Sequence, residues 1–238
     1  MKRLMFITIV CAFVAAPAMA DPYVKINYGN PNYQLNPGGE FTALLSDTPS
    51  GWTFDPTQYY ALSTQGQITQ TGYSRSFQTF CIETDEYVNN NNVYHVELSA
   101  SAWQGGTGGP EPDPISKGTA WLYDQFAQGI LSGYEYTPGA ARQADAGALQ
   151  IAIWGLEQES LGSVSLSNEF IALVMTQFDN DLEKAMADNA GLYPVLVMRL
   201  DLGGVLKQDM LVRVPVPAAV LLGLLGLGVA GLKLRKYA

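Results

Sequence analysis

The chain has 238 residues and carries 22 acidic against 13 basic side chains, a formal net charge of −9 at neutral pH. Nucleic-acid binding needs a basic surface that neutralises phosphates, so this balance disfavours a nucleic-acid partner. The length is sufficient for one domain with a sizeable core, and is tight for two once both terminal segments are set aside.

The first twenty residues have the pattern of a secretory signal peptide. Lys2 and Arg3 precede an apolar run over residues 4–16, and Ala18-Met19-Ala20 forms an A-x-A cleavage pattern. Cleavage after Ala20 would make Asp21 the first residue of a mature protein outside the cytoplasm. We therefore expect passage through the export machinery of the inner membrane.

Signal cleavage also separates the two cysteines, Cys11 and Cys81. Cys11 leaves with the signal peptide, so Cys81 has no disulfide partner within the mature chain. A lone thiol in an oxidising compartment is exposed to oxidation, and its presence there needs a physical explanation.

The first half of the mature chain predicts β-strands. Several segments alternate apolar and polar residues and are bounded by Gly, Pro and Asn clusters. The predicted strands cover residues 23–28, 40–46, 76–83 and 93–100. The Gly- and Pro-rich residues 105–114 cannot hold a helix or a central strand, so we expect a loop there.

Beyond this loop, apolar residues recur at helical spacing and predict three helices. The first starts at Ser116 and ends at Gly133, the second covers residues 142–158, and the third runs from Ser167, as N-cap, to Met186. Residues 193–201 and 209–214 return to strand character. The predicted fold class is α+β, with a strand-rich half that is sheet-like or barrel-like and a helical insertion of about three helices.

The C-terminal segment joins a short motif, an apolar stretch and a basic end. Val214-Pro215-Val216-Pro217-Ala218 leads into an apolar run to Leu232, and Lys233, Arg235 and Lys236 follow. The run is short for a spanning helix, which needs ~17–25 residues, although a tilted helix or a thinned bilayer accommodates it. The basic cluster would hold the last residues in the cytoplasm.

These three parts resemble a PEP-CTERM sorting signal in its V-P-x-P-A variant. The resemblance implies a transient inner-membrane anchor that an exosortase-type membrane protease of a Gram-negative bacterium cuts, leaving the protein on the cell surface or secreted. Val216 stands where the commoner pattern has Glu. The alternatives are a simple C-terminal anchor and a buried helix of a soluble domain.

Three regions follow: a signal peptide at 1–20, an extracellular domain at 21–213 and a sorting segment at 214–238. Five basic residues and no acidic ones lie in the two ends, so the domain carries 8 basic against 22 acidic side chains, a net charge of −14. Such an acidic, Tyr-, Asn- and Gly-rich domain is typical of a secreted or surface protein.

Two segments of the domain carry the candidate chemistry. Phe80-Cys81-Ile82-Glu83 lies on a predicted strand, and Leu149-Gln150-Ile151-Ala152-Ile153-Trp154 lies on the predicted second helix. Neither face of the strand is plainly solvated, so a central strand with a covered Cys81 is expected. The helix is apolar on nearly every side here, which indicates burial, and Gln150 and Trp154 share one stripe at i and i+4.

Together the two segments resemble bacterial thioester domains of the adhesin type, over most of residues 70–160. The resemblance implies that the Cys81 sulfur attacks the Gln150 side-chain carbonyl, ammonia leaves, and an internal thioester forms at the junction of strands and helices. Phe80 and Trp154 would support the pocket. An amine-bearing surface, such as a protein lysine, would open the thioester and become attached, in adhesion or in a biofilm matrix. Leu149 departs from the family, where Thr is common.

This chemistry consumes the site in a single use, so the prediction is a covalent hook without cofactor, and not an enzyme. The first alternative is a non-covalent structural or carbohydrate-binding matrix protein of the same fold, with extracellular polysaccharide as partner and no thioester. Trp103 and Trp121 would be candidate sugar platforms, although packing in the core is the expected role. A cysteine hydrolase with His95 as base is disfavoured, because His95 shares a predicted solvent face with Glu97.

The remaining acidic residues near these segments are interpreted as structural. Glu83, Asp85 and Glu86 lack an EF-hand frame, so a solvated strand end is expected and no metal site. Glu157 and Glu159 are expected at an exposed helix end.

Overall fold

A computed structural model describes residues 23–28, 33–35, 38–46, 77–90, 92–103, 112–159 and 164–214. The predicted signal peptide, its cleavage site after Ala20, and the sorting motif beyond Val214 lie outside the described residues. Val214 itself extends the last strand, and its N–H donates to the Pro194 carbonyl at 2.8 Å. Within the described part of the chain, no helix has the length and apolar character needed to cross a membrane.

The described strands are short and pair with antiparallel neighbours. They are β1 (Tyr23–Asn27), β2 (Gln34–Leu35), β3 (Gly38–Gly39), β4 (Phe41–Ser46), β5 (Phe77–Thr79), β6 (Val93–Ser99), β7 (Ser101–Ala102), β8 (Asp113–Pro114), β9 (Val195–Asp201) and β10 (Leu206–Arg213). Six of them form one sheet in the order β10-β9-β6-β1-β4-β5, while β2 pairs with β3 and β7 with β8. The strand-rich half expected from the sequence is confirmed, as part of a mixed α+β fold.

The two ends of the six-stranded sheet meet. Immediately after β5, Cys81 forms a bridge with Met210 of β10. The Ile82 N–H donates to the Asp209 carbonyl at 3.0 Å, and the Leu211 N–H donates to the Phe80 carbonyl at 3.2 Å. The described sheet therefore closes on itself like a barrel, and we call this junction of residues 80–82 with β10 the seam.

The seam corrects the prediction of one continuous strand over residues 76–83. β5 pairs with β4 and ends at Thr79, and residues 80–82 pair with β10 instead. The prediction that Cys81 is covered is confirmed, since only 5% of the residue is exposed.

Four described helices follow the strand-rich half. They are α1 (Lys117–Ala127), α2 (Ala140–Leu156), α3 (Glu169–Gln177) and α4 (Leu182–Met186). Helix α1 begins next to Ser116, where its start was predicted, but it ends at Ala127, before the predicted end at Gly133. Ser116 is its N-cap, because the Ser116 hydroxyl accepts from the Thr119 N–H at 3.1 Å. The single helix predicted from Ser167 to Met186 is wrong.

That third helix is divided into α3 and α4 by Asp179 and Asn180, whose φ angles of 59° and 60° lie in the left-handed region. Asp and Asn tolerate this conformation better than most residues, and it ends a right-handed helix. The N-cap of α3 is Asn168 and not Ser167, because its side chain accepts from the N–H groups of Phe170 and Ile171.

Two apolar clusters lie on opposite sides of the barrel wall. Alternate residues from all six strands fill the interior, including Cys81 and Met210, and Trp154 of α2 joins this cluster. Phe80 and Ile82 point the other way, into a larger cluster between the wall and the helices. The seam therefore places the Cys81 side chain on the interior side and its neighbours on the helical side, as the two-residue period of extended chain requires.

Candidate functional site

The Gln150 carboxamide lies directly on the backbone of Cys81. Its Oε1 accepts from the Cys81 N–H at 3.1 Å, and its Nε2 donates to the Cys81 carbonyl at 2.8 Å. Gln150 has no exposed surface. The amide group of a helix residue thus pairs with Cys81 as a neighbouring strand would, and brings its carbonyl carbon beside the residue that bears the thiol.

The pairing of the strands explains why the N–H and C=O of Cys81 are available to the Gln150 side chain. In the seam, residues 80 and 82 make the hydrogen bonds to β10, so the N–H and C=O of Cys81 point away from β10. On that side the register of β4 with β5 would continue to Gly39, but Gly39 pairs with Gln34 instead. Buried backbone groups need partners, and Gln150 supplies them.

Gly38 and Trp154 form the wall beside this pairing. A Cβ on Gly38 would lie 2.7 Å from Gln150 Cγ and 2.8 Å from Trp154 Cη2, so only glycine leaves both side chains in place. Trp154 is 7% exposed, and its Nε1 is buried with no hydrogen-bond acceptor among the described residues. The sequence analysis identified Trp154 but missed Gly38, which the Pro-Gly-Gly turn sequence before Glu40 marks only as a turn.

A cavity of about 280 Å³ adjoins Cys81 and Trp154. Its lining comprises Tyr28, Gln34, Phe41, Cys81, Glu83, Thr84, Glu86, Tyr87, Val88, Trp154 and Gln208. This volume is near the lower end for small-molecule sites, so it accommodates a small ligand group beside the thiol. Phe80 does not line it, because its ring packs edge-to-face on Phe126 at 4.9 Å between centroids.

Burial controls the charge state of the thiol. Loss of solvation raises the pKa of Cys81 far above its ordinary value, and the nearby Glu83 carboxyl raises it further. Cys81 is therefore a neutral thiol at neutral pH, and a nucleophilic thiolate requires transfer of its proton to another group.

The acidic residues after Cys81 differ from the prediction of a solvated strand end. Glu83 is only 2% exposed and Asp209 of β10 is fully buried, whereas Asp85 is exposed. Loss of solvation, together with the charges of Asp209 and Glu86, raises the pKa of Glu83 to about 9. Loss of solvation also raises the pKa of Asp209 to about 7.

Within the described residues, no group of three or more His, Cys, Asp or Glu side chains is arranged to hold a metal ion.

The prediction of an exposed helix end at Glu157 and Glu159 is wrong. Glu157 is 3% exposed and accepts from the Ser116 N–H and hydroxyl at 3.1 and 2.7 Å, so its carboxyl sits at the N-terminus of α1. Glu159 is 6% exposed and accepts from the Thr84 N–H at 3.1 Å. The C-terminal end of α2 is thereby tied both to α1 and to the segment that follows Cys81.

A buried ion pair, absent from the sequence predictions, holds the other side of the site. Arg142 of α2 is fully buried, and its guanidinium binds the Glu40 carboxylate at 2.7–3.1 Å. The Tyr134 hydroxyl donates to the same carboxylate at 2.8 Å, and the guanidinium lies over the Tyr33 ring, 4.7 Å from its centroid. The pair fixes the segment bearing Gly38 against the helix bearing Gln150.

The other candidates from the sequence lie elsewhere. His95 is half-buried on β6, with its ring edge-to-face on Tyr23 at 5.7 Å, and it does not line the cavity beside Cys81. Trp103 is partly buried under the Arg199 guanidinium, 4.5 Å from the ring centroid. Trp121 is partly buried and packs against the helical core. No family model, curated protein or solved structure matches the chain.

Proposed function

We propose that this is an exported surface or extracellular-matrix protein whose domain forms an internal thioester between Cys81 and Gln150 and uses it to attach covalently to amine-bearing targets. The observation that supports this most strongly is the two-point hydrogen bonding of the Gln150 carboxamide to the Cys81 backbone. It holds a thiol-bearing residue and an amide carbon together, in a buried position, at the wall of a cavity.

The same hydrogen bonds suit each stage of the reaction. Sulfur attack on the Gln150 carbonyl carbon breaks the C–N bond, and the nitrogen leaves as ammonia after receiving a proton. The Cys81 N–H already points at Oε1, where negative charge develops, and so acts as an oxyanion donor. Proximity replaces the need for a reactive electrophile, and burial protects the product from water.

Opening of the thioester defines the partner class. A primary amine adds to the acyl carbon, the C–S bond breaks, and Cys81 is released as a thiol while the target stays joined to Gln150 through an amide. Each molecule reacts once, so the protein is a covalent adhesin or matrix component and not a turnover enzyme. Amine-bearing targets include lysine side chains of a protein surface.

Intact mass spectrometry of the purified protein tests the bond. The expected mass is lower than that of the sequence by one ammonia, and methylamine restores a free thiol while attaching to Gln150. Cys81→Ala is the matched control, because it removes the thiol and leaves the backbone groups that the Gln150 amide binds. A wild-type mass equal to the sequence, with no methylamine adduct, would refute the thioester.

A second candidate function is supported by one specific observation. Gln150 satisfies both backbone groups of Cys81 without any covalent bond, which is what a purely structural glutamine would do. In that case the protein is a non-covalent structural or carbohydrate-binding matrix protein. Binding to extracellular polysaccharide that persists in Cys81→Ala and is reversed by denaturant would favour this function.

The proposed location is outside a Gram-negative cell, reached through a transient anchor at residues 214–238. Comparing secretion of the full chain with that of a chain truncated after Arg213 measures the role of this segment. Equal secretion and equal membrane retention of the two chains would contradict the anchor.

A further inference from the structure

We propose that Glu83, together with its neighbour Glu86, exchanges protons with the Cys81 sulfur, both when the thioester forms and when an amine opens it. This inference rests on the proposed thioester and names the group that makes its chemistry feasible. The position of Glu83 in the cavity wall carries the argument.

Glu83 and Cys81 lie two residues apart after β5 and line the same cavity. Glu83 is held in place from β10, because its carbonyl accepts from Gln208 Nε2 at 2.7 Å and its Oε2 accepts from the Asp209 N–H at 3.3 Å. A carboxyl that is held from β10 and lines the same cavity as the thiol is placed to exchange a proton with it. The charge of Glu83 is also among the causes that raise the pKa of the thiol.

The Cys81 sulfur needs a proton-transfer partner when the thioester forms and again when an amine opens it. Burial keeps the Cys81 thiol neutral, so the proton must leave as sulfur attacks Gln150 and must return when an amine expels the sulfur. A carboxyl that retains its proton at neutral pH can serve as the donor. Glu83 does so, because desolvation raises its pKa to about 9.

Glu86 is the partner of Glu83 in this proton transfer. The two side chains hydrogen-bond each other. This hydrogen bond raises the pKa of Glu83 further, and it opposes the rise that burial causes in the pKa of Glu86. The protonated member is therefore Glu83, and Glu86 supplies the acceptor. Other charged groups act on the pair: Asp209 on Glu83, and Asp85 and Lys207 on Glu86.

The proton balance closes in each step. During formation, the pair accepts the thiol proton and gives one to the departing nitrogen, so ammonia leaves and the pair is unchanged. During opening, the pair accepts a proton from the attacking amine nitrogen and gives one to the sulfur. Trp154 also lines the cavity, and its buried indole N–H, which has no acceptor among the described residues, is a hydrogen-bond donor and not a source of protons.

The test compares wild type, Glu83→Gln and Glu157→Gln in the reaction with methylamine, followed by intact mass. Glu157 is the matched control because it is a buried carboxyl whose pKa burial raises to about 7, yet it binds Ser116, the N-cap of α1, and does not line the cavity. We expect Glu83→Gln to slow opening by roughly 10²-fold, the lower end for general acid catalysis, and Glu157→Gln to leave the rate unchanged.

The pH profile separates proton transfer from a structural role. Divided by the concentration of unprotonated methylamine, the wild-type rate should fall as pH rises through about 9, where Glu83 loses its proton. The profile of Glu83→Gln should be flat. A flat wild-type profile, or equal rates in the wild type and Glu83→Gln, would overturn the role of Glu83 while leaving the thioester intact. A wild-type mass equal to the sequence would instead overturn the proposed function, and this inference with it.

Discussion

Replacement of Gly38 by alanine should dislodge the Gln150 amide from Cys81. The added Cβ would lie 2.7 Å from Gln150 Cγ and 2.8 Å from Trp154 Cη2. The effect is one of packing and not of backbone strain, because the left-handed φ of 148° in this turn belongs to Gly39. Both neighbours are middle or ring atoms of buried side chains, so neither has a free end that swings away cheaply.

The required movement sets the size of the effect. Gln150 Cγ must shift by about 0.7 Å to reach the 3.4 Å at which ordinary contact begins. The amide is held by hydrogen bonds of 3.1 and 2.8 Å, and a shift of this size breaks at least one of them. Loss of such a buried bond, or equivalent overpacking, costs about 1–3 kcal/mol.

Urea denaturation followed by tryptophan fluorescence measures this loss, and intact mass on the same samples measures thioester content. Gly155→Ala is the matched control on α2, because a Cβ there meets only Val164, at 3.8 Å from its Cγ2 and 3.9 Å from its Cα. That variant should gain about 0.5–1 kcal/mol from helix propensity. If Gly38→Ala lies within about 0.5 kcal/mol of the wild type, the close wall between Gly38, Gln150 and Trp154 is refuted.

Two further predictions concern buried charge. Glu40→Ala should lower the free energy of unfolding by about 3–5 kcal/mol, because it leaves Arg142 as an uncompensated buried charge, and the loss should shrink when Arg142→Met is added. The domain should also lose stability as pH rises from about 4.5 to about 9. Burial raises the folded-state pKa of Glu83, Asp209 and Glu157 above their unfolded values, so the folded state holds protons that the unfolded state has released. Thermal melts across this range check the sign. A melting temperature that rises with pH, or a slope unchanged in Glu83→Gln, would contradict the assignment of these protons.

Local patterns in the sequence predicted the elements well. Alternation located the strands around Val24, Ala43 and Tyr94, all of which are buried in the barrel interior. Helical spacing located the start of α1 next to Ser116, and the apolar centre of α2 correctly indicated that Gln150 is buried. These features depend on residues within one or two turns of each other, so the chain records them locally.

The missed features depend on distant partners. Glu83 follows a strand and neighbours two other acids, a pattern that usually means solvent exposure. In the fold it is buried and in contact with β10, where Gln208 donates to its carbonyl across 125 residues of chain. The ion pair of Glu40 with Arg142 joins residues 102 apart, and nothing in the sequence couples them. The break between α3 and α4 is the exception, because Asp179 and Asn180 are a local signal of a left-handed turn.

The seam makes the site dependent on the order in which the chain folds. Thr79 Oγ1 donates to the Leu211 carbonyl across 132 residues of chain, and contacts of such separation close late because the loop entropy must be lost first. Before β10 docks, Cys81 has neither Met210 nor Asp209 beside it and its side chain faces water. The proposed thioester would therefore persist only in completely folded molecules, since an incompletely folded chain would expose it to water.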